Sequence, residues 1–386
     1  MNKGIIILQR ILPHYRVGIF KEFIRNFPAT KIFYGQPFKG ESLSNADIED
    51  SSFIKCNNIY FGRKENFFIS NIYGKIFRQK PGIIISVFNV GNLNIYFLFF
   101  LKIFLNHKII LWSFGYDPVR GFDPGKNFAD KVRLYLSQKA DAVIFYWDKG
   151  FDEVSKFSKR KDHYFIARNT IDTVKQSELK NNFDITGKEN LKKELGIKEK
   201  FHFIYTGRLI KDKQADLLLK AFGMVEKQIT DARLTIIGEG PERINLERFA
   251  EDLQIKNIIF KGEITDEQTT GKWIYVSDAF VMPGRLGLSV IHSFCFGTPV
   301  ISQNKENHFH GEGIGYIKEG VNGYLTEDGN AKEFAAKMLL IIDDSKLSET
   351  LRENAFHTAM NEGSVENMIA GFGQAIDFVR RNSDKN

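Results

Sequence analysis

The sequence predicts an α/β protein made of two doubly wound domains, and three observations carry that expectation. Short apolar runs alternate with helix-length stretches twice, over residues 4–145 and again over 201–302. A polar stretch at 173–200, rich in Lys, Asn and Glu and with one short helix leading in, separates the two alternations. The chain of 386 residues is long enough for two domains of ordinary size, each with its own core.

In the first alternation the strand-like runs fall at 4–8, 31–34, 83–88, 109–112 and 142–145. Helical stretches lie between them at 18–26, 66–77, 93–105 and 128–138. The run 93–105 is the one segment that resembles a membrane span. It is shorter than the ~20 residues a bilayer helix needs, and Lys102 interrupts it, so a helix buried between parallel strands is expected. The second alternation has strand-like runs at 201–206, 233–238, 258–261, 279–282 and 299–302. Its helices are expected at 214–228, 241–253, 265–276 and 288–296. The tail is helical and amphipathic, with Met368, Phe372, Ile376 and Val379 on one stripe. The expected division is therefore a first domain at 1–172, a linker at 173–200, a second domain at 201–363 and a C-terminal helix and tail at 364–386.

Apolar residues make up 43% of the chain and charged ones 26%, a globular composition. Cys56 and Cys295 stand far apart without Cys or His at metal spacing, which predicts a reducing compartment, no disulfide and no metal. The opening Met1-Asn2-Lys3-Gly4 runs directly into Ile5-Ile6-Ile7-Leu8, too short for a signal-peptide core, so a cytoplasmic protein is expected. The net charge of +7 is unevenly spread. Residues 1–180 hold 28 Lys and Arg against 16 Asp and Glu, while the remainder is acidic. Such asymmetry suggests an anionic partner for the first half. No nucleic-acid motif accompanies it, so an anionic membrane surface or a lipid-diphosphate acceptor is favoured over nucleic acid. A solvated basic surface without a partner is the plain alternative.

Residues 282–301 are the most informative stretch. Pro283-Gly284 breaks a strand-like run; Gly287-Leu288-Ser289 opens a helix-like stretch, which stops at Gly297 before a new apolar run. Strand, glycine turn and helix is a layout that points backbone N–H groups at an anionic ligand. About 80 residues earlier, Gly207-Arg208 with Lys213 forms a second anion-friendly element. Together they suggest a pocket for a nucleotide diphosphate. Taken singly, Arg208 and Lys213 read equally well as surface cations at a helix start, Ser289 as an N-cap and His292 as a half-buried helical histidine.

These segments resemble the donor site of retaining, GT-B-fold glycosyltransferases of family four. The pattern there is Glu-Gly-Phe-Gly-Leu, three residues, a second Glu and a Cys-Gly-Thr-Pro-Val-Ile ending. Gly287, Leu288, Gly297, Thr298, Pro299, Val300 and Ile301 match it, while Gly284 and His292 stand where the two glutamates belong. Thr206-Gly207-Arg208-Leu209 with Lys213 resembles the family's Gly-Arg-Leu-x4-Lys-Gly element, with Gln214 in place of the last Gly. The resemblance implies the GT-B fold: two Rossmann-like domains facing across a cleft, with a C-terminal helix crossing back to the first.

It also implies chemistry. The glycosidic C–O bond breaks heterolytically, and Arg208 and Lys213 stabilise the charge growing on the leaving diphosphate without a metal or cofactor. Gly207, Gly287, Leu288 and Ser289 contact the phosphates, and His292 replaces the ribose-holding glutamate with one acceptor fewer. Gly284 cannot read a sugar hydroxyl, so Arg285 fills the space or the sugar lacks that hydroxyl, as a deoxy sugar such as fucose does. Glu263, in Lys261-Gly262-Glu263-Ile264, offers two acceptors to guanine N1–H and N2–H, which tilts the expectation to a GDP-sugar over a UDP-sugar; an exposed helix-capping glutamate is the alternative. Glu312 lies in a glycine-rich loop expected near the sugar. In the first domain His14, Tyr15, Arg16 and Asp117 follow strands, where acceptor contacts are expected.

The expected task is addition of a sugar to a glycan or polyprenyl-diphosphate-linked acceptor in bacterial surface polysaccharide assembly, such as capsule or O-antigen. The alternatives are a sugar-nucleotide epimerase or hydrolase of the same fold, or a degenerate, non-catalytic scaffold.

Overall fold

The computed structural model describes residues 4–41, 43–304 and 310–383. The chain divides into two compact units, Met1–Asp172 with Val365–Asn386, and Thr173–Ser364.

The first unit runs β1 (Ile5–Gln9), α1 (His14–Asn26), β2 (Thr30–Tyr34), β3 (Phe53–Lys55), β4 (Asn58–Phe61), β5 (Phe67–Ser70), α2 (Tyr73–Gln79), β6 (Ile83–Phe88), α3 (Leu93–Leu101), β7 (Lys108–Ser113), α4 (Phe128–Lys139), β8 (Ala142–Phe145), α5 (Asp148–Ser155) and β9 (Tyr164–Ile166). Seven strands form one parallel sheet in the order β3-β2-β1-β6-β7-β8-β9. The central strands are nearly continuous β-branched runs because both faces are covered; Ile5, Ile6 and Ile7, and Ile83, Ile84 and Ile85, are all buried. Pro13 precedes the first turn of α1, and Asn92 caps α3 by accepting from the Asn94 N–H at 3.2 Å.

The second unit runs α6 (Thr173–Thr186), α7 (Lys188–Glu194), β10 (Phe201–Thr206), α8 (Ala215–Glu226), β11 (Ala232–Ile237), α9 (Arg243–Asp252), β12 (Ile258–Gly262), α10 (Glu267–Tyr275), β13 (Ala279–Val281), α11 (Ser289–Cys295), β14 (Val300–Asn304), β15 (Gly323–Glu327), α12 (Ala331–Asp343) and α13 (Ser345–Asn361). Its six parallel strands are ordered β12-β11-β10-β13-β14-β15. Strand order reverses between β10 and β13, and ligands of open α/β sheets bind beyond the carboxyl ends of strands at such a switch point. The chain then returns to the first unit as α14 (Val365–Ser383). The stripe expected there is buried: Phe372 meets Phe23 and Trp112 edge-on, with centroids 5.4 and 5.1 Å away.

Two stretches differ from expectation. Residues 173–200 form α6 and α7, and they belong to the second unit. Phe183 of α6 packs on Tyr275 and Phe296 at 5.6 and 5.8 Å, and Lys188 pairs with Asp278 at 2.7 Å. The buried positions Phe183, Leu191 and Ile197 are too sparse in a polar sequence to announce that two helices, and not one, pack on the second unit. Residues 66–77 split into β5 and α2, because Phe67–Ser70 pairs antiparallel with Asn58–Phe61 as a separate hairpin. Among the described residues, no helix is long and apolar enough to cross a membrane.

Candidate functional site

The switch point of the second sheet brings together the turn after β10, Gly207 to Gln214, and the turn after β13, Met282 to Ser289. Met282 touches both sides: its methyl lies 3.2 Å from where a Gly207 side chain would begin, and its sulfur is 3.6 Å from Lys213 Nζ. Gly207 has φ of 153°, and its N–H donates to the Ile237 carbonyl at 2.9 Å.

Lys213 is held by its surroundings. Nζ donates to the Arg285 carbonyl at 2.5 Å, while the Gly284 and Arg285 N–H groups donate to the carbonyls of Lys213 and Asp212 at 3.0 and 2.8 Å. Burial and then the neighbouring Arg285 guanidinium push the ammonium down to about 8, against a smaller upward pull from Asp212. Arg208 is exposed, and neither it nor Arg285 has an ion-pair partner among the described residues. Lys213 and Arg285 are thus adjacent cations with Asp212 near Lys213, and Arg208 stands exposed on the turn after β10.

Gly284 and Gly287 are glycines for different reasons. A Cβ at Gly284 would stand 2.2 Å from the Lys213 carbonyl carbon and 2.3 Å from the Asp212 oxygen, so protein backbone fills that place. A Cβ at Gly287 would meet no protein atom within 4 Å. The space beside Gly287 is open, as a turn that lets a ligand approach its backbone requires. Among the described residues no backbone carbonyl accepts from the Gly287 or Leu288 N–H. Ser289 Oγ and His292 Nε2 are both enclosed and lack a hydrogen-bond partner among the described residues. Burial pushes the His292 imidazolium down to about 4, so the ring is neutral at physiological pH.

A buried polar network that the sequence did not announce holds this turn in place. The Gln303 amide donates to Gln214 Oε1 at 2.6 Å and to the Pro283 carbonyl at 2.8 Å, and its oxygen accepts from the Gly329 N–H. His310 Nδ1 accepts from the Leu286 N–H at 3.2 Å, so Nε2 carries the proton and donates to the Gln303 carbonyl at 2.9 Å. Gly311 donates to the Leu286 carbonyl at 2.8 Å, which seats the glycine loop containing half-buried Glu312 against the Gly287 turn. Only the two glutamines at strand and helix ends hint at this arrangement in the sequence. Glu263 is exposed after β12, beside the Glu239–Arg243 ion pair. Among the described residues no three His, Cys, Asp or Glu side chains gather as a metal-holding group.

In the first unit the four expected acceptor residues are in different environments. His14 is exposed and Tyr15 half-buried at the start of α1. Arg16 is buried instead of open: its guanidinium lies 4.4 Å over the Trp112 ring and donates to Asn169 Oδ1 at 3.3 Å. Asp117 is committed to its own turn, accepting from the Val119 and Arg120 N–H groups at 3.0 Å each. Burial raises its carboxyl, but those two N–H groups and the Arg120 guanidinium outweigh it and leave the net shift downward. The Arg16 guanidinium and Asp117 Oδ1 thus each have a partner within the first unit.

Comparisons with known proteins agree with this geometry. Residues 187–358 match the family model for glycosyl transferases group 1. The poly(glycerol-phosphate) alpha-glucosyltransferase of Bacillus subtilis is 23% identical over 61% of this chain and 33% of its own length. The lipopolysaccharide core biosynthesis glycosyltransferase LpsE of Rhizobium meliloti is 28% identical over 44% of this chain and 48% of its own. The chain thus spans a third to about half the length of these curated relatives. In fold it is similar to Anabaena Alr3699/HepE, solved in complex with UDP, with a TM-score of 0.68 and 13% identity over 97% of this chain and 99% of that one. Residues 187–358 are thus similar to glycosyl transferases group 1, and the chain as a whole, with its two Rossmann-like units, has a GT-B fold.

Proposed function

We propose that the protein transfers a sugar from a nucleotide diphosphate donor, a GDP- or UDP-sugar, to a glycan or lipid-linked acceptor, with retention of configuration and without a metal. The observation that carries this reading is the adjacent cations Lys213 and Arg285 on the turns that flank the open space beside Gly287, with Arg208 exposed on the same turn as Lys213. An ammonium fixed on a backbone carbonyl, as Lys213 is, needs little reorganisation when charge develops on a leaving diphosphate, so it favours the transition state over the ground state. Ser289 Oγ and the N–H groups of Gly287 and Leu288 supply further donors to that diphosphate. The neutral His292 ring supplies one contact for the ribose. The relatives' names point to glucosyl transfer onto a glycerol-phosphate polymer and to lipopolysaccharide core assembly, which supports a cell-surface glycan as acceptor. The donor sugar differs from one that needs a carboxylate at position 284, and a deoxy sugar meets that condition.

Thermal stabilisation by UDP, GDP, dTDP and ADP tests the reading. One nucleotide raises the melting temperature in proportion to the logarithm of its concentration, and Arg208→Ala removes the effect. GDP as that ligand supports the Glu263 contact; UDP refutes it. A protein stabilised by none of the four is a scaffold, and turnover of donor without acceptor identifies an epimerase or hydrolase.

A further inference from the structure

The first unit carries an apolar surface that its core leaves uncovered. Along α3 and the turn that follows, Phe97, Phe100 and Phe104 form a continuous row, with ring centroids 5.9 and 5.4 Å apart. Phe100 is 53% exposed, Ile103 75% and Phe104 67%. The opposite side of the same helix behaves as a core helix: Ile95, Leu98 and Leu101 are buried. Tyr73 of α2 extends the row through a ring contact with Phe97 at 4.3 Å, and Phe77, one turn further along α2, is 45% exposed. Large aromatic side chains clustered in water on a helix face mark an interaction surface.

The segment that carries it is basic. From Lys55 to Lys108 the sequence holds eight Lys and Arg and a single acid, Glu65. Arg78 and Lys80, at the end of α2, are exposed with no ion-pair partner among the described residues. Lys80 and Phe104 line one cavity of about 230 Å³ with Pro81 and Asn106, so cation and aromatic stand side by side. Lys102 is drawn off the face to Asp141, at 2.6 Å.

We propose that this face docks the protein on an anionic lipid bilayer, with the rings of Phe100 and Phe104 and the Ile103 side chain entering the headgroup region while Arg78 and Lys80 meet lipid phosphates. Charge complementarity selects this occupant: a strip of aromatics fringed by unpaired cations matches an interface that is apolar below and negative above. At nine residues, α3 lies along the surface and does not span it. The proposal names the surface for the lipid-linked acceptor reading above, yet every residue in it lies in the first unit, apart from the donor site.

Co-sedimentation of the full chain with sucrose-loaded vesicles tests it, using phosphatidylcholine alone or with about 30% phosphatidylglycerol. The parent protein should pellet with the anionic vesicles and do so less at high salt. Phe100→Ser/Phe104→Ser and Arg78→Glu/Lys80→Glu should each weaken that binding about tenfold or more. All four positions are exposed, so melting temperature and nucleotide stabilisation should stay at parental values. Absence of binding by the folded parent overturns the proposal, and so does equal binding by both variants. A parental dimer that Phe100→Ser/Phe104→Ser converts to monomer, without vesicle binding, assigns the face to a second copy instead. None of these outcomes bears on the donor site, which the nucleotide melts report separately.

Discussion

Lys213 gives the donor-site reading a pH signature. Its ammonium is pushed down to about 8 in the free protein, where Arg285 is beside it and no phosphate is bound. A diphosphate bound beside it favours the charged form and returns the group toward the ordinary lysine range near 10.5. Binding therefore takes up a proton above about pH 8, and affinity falls as pH rises. From about pH 7.5 to about pH 9.5 the protonated fraction of a group at 8 drops from about three quarters to a few per cent, so the dissociation constant should rise about twentyfold. At saturating nucleotide that loss is about 1.8 kcal/mol of stabilisation, readable by calorimetric titration or by melting curves.

The free protein moves the other way. Its folded state releases the proton near 8 while the unfolded chain keeps it to about 10.5, so this group's contribution to stability rises with pH across that window. Lys213→Met should bind nucleotide weakly with no slope over the same range. A parental affinity that stays flat from about pH 7.5 to 9.5, with Arg208→Ala still abolishing binding, would show that Lys213 does not touch the phosphates.

Other substitutions separate packing from ligand contact. Gly284→Ala forces the 212–213 backbone aside and should cost about 2–4 kcal/mol in denaturant unfolding. Gly287→Ala meets no protein atom and should leave stability within about 0.5 kcal/mol while weakening nucleotide binding about tenfold. His292→Gln should flatten part of the acid limb of the stability curve: the folded ring titrates near 4 against 6.5 unfolded, so stability drains as pH falls between those values, and removing the imidazole removes that slope. Gln214→Gly relieves a left-handed residue with φ of 49° but loses the Gln303 hydrogen bond, and should destabilise by about 1 kcal/mol net in urea melts.

Much of the fold was legible because its signals are local. The β-branched runs of β1 and β6 and the largely aromatic run of β10 are fixed by burial, and the α14 stripe repeats at the helical period. The hairpin of β4 and β5 was not, since its pairing joins residues across a turn in a segment whose apolar content also suits a helix. In the site, Arg208, Lys213 and the Gly287 turn stood out because an anion demands cations and open backbone. The surroundings of Arg16 were not legible, because nothing local reveals that Trp112, nearly 100 residues away, lies beneath its guanidinium. Gln303 and His310 escaped notice because their partners, Gln214, Pro283, Leu286 and Gly329, are scattered along the chain.

The two departures from the family pattern nearest the phosphate cations are parts of one contact. Position 284 lost a side chain and position 214 gained one. The 212–213 backbone now lies where the first atoms of a residue-284 side chain would be, tied there by the Gly284 and Arg285 N–H groups. The glutamine that follows closes the turn in a left-handed conformation and anchors it to Gln303 beneath. Restoring a glutamate at 284 alone therefore adds a carboxylate to a filled space. The missing carboxylate is then a repacking of the turn that holds Lys213, and the same hydrogen bonds that exclude it keep the ammonium on the Arg285 carbonyl. A degenerate site would be expected to lose the cations together with the glutamates. Here Arg208 and Lys213 are present and the space beside Gly287 is open, which favours the proposed transfer over a degenerate scaffold.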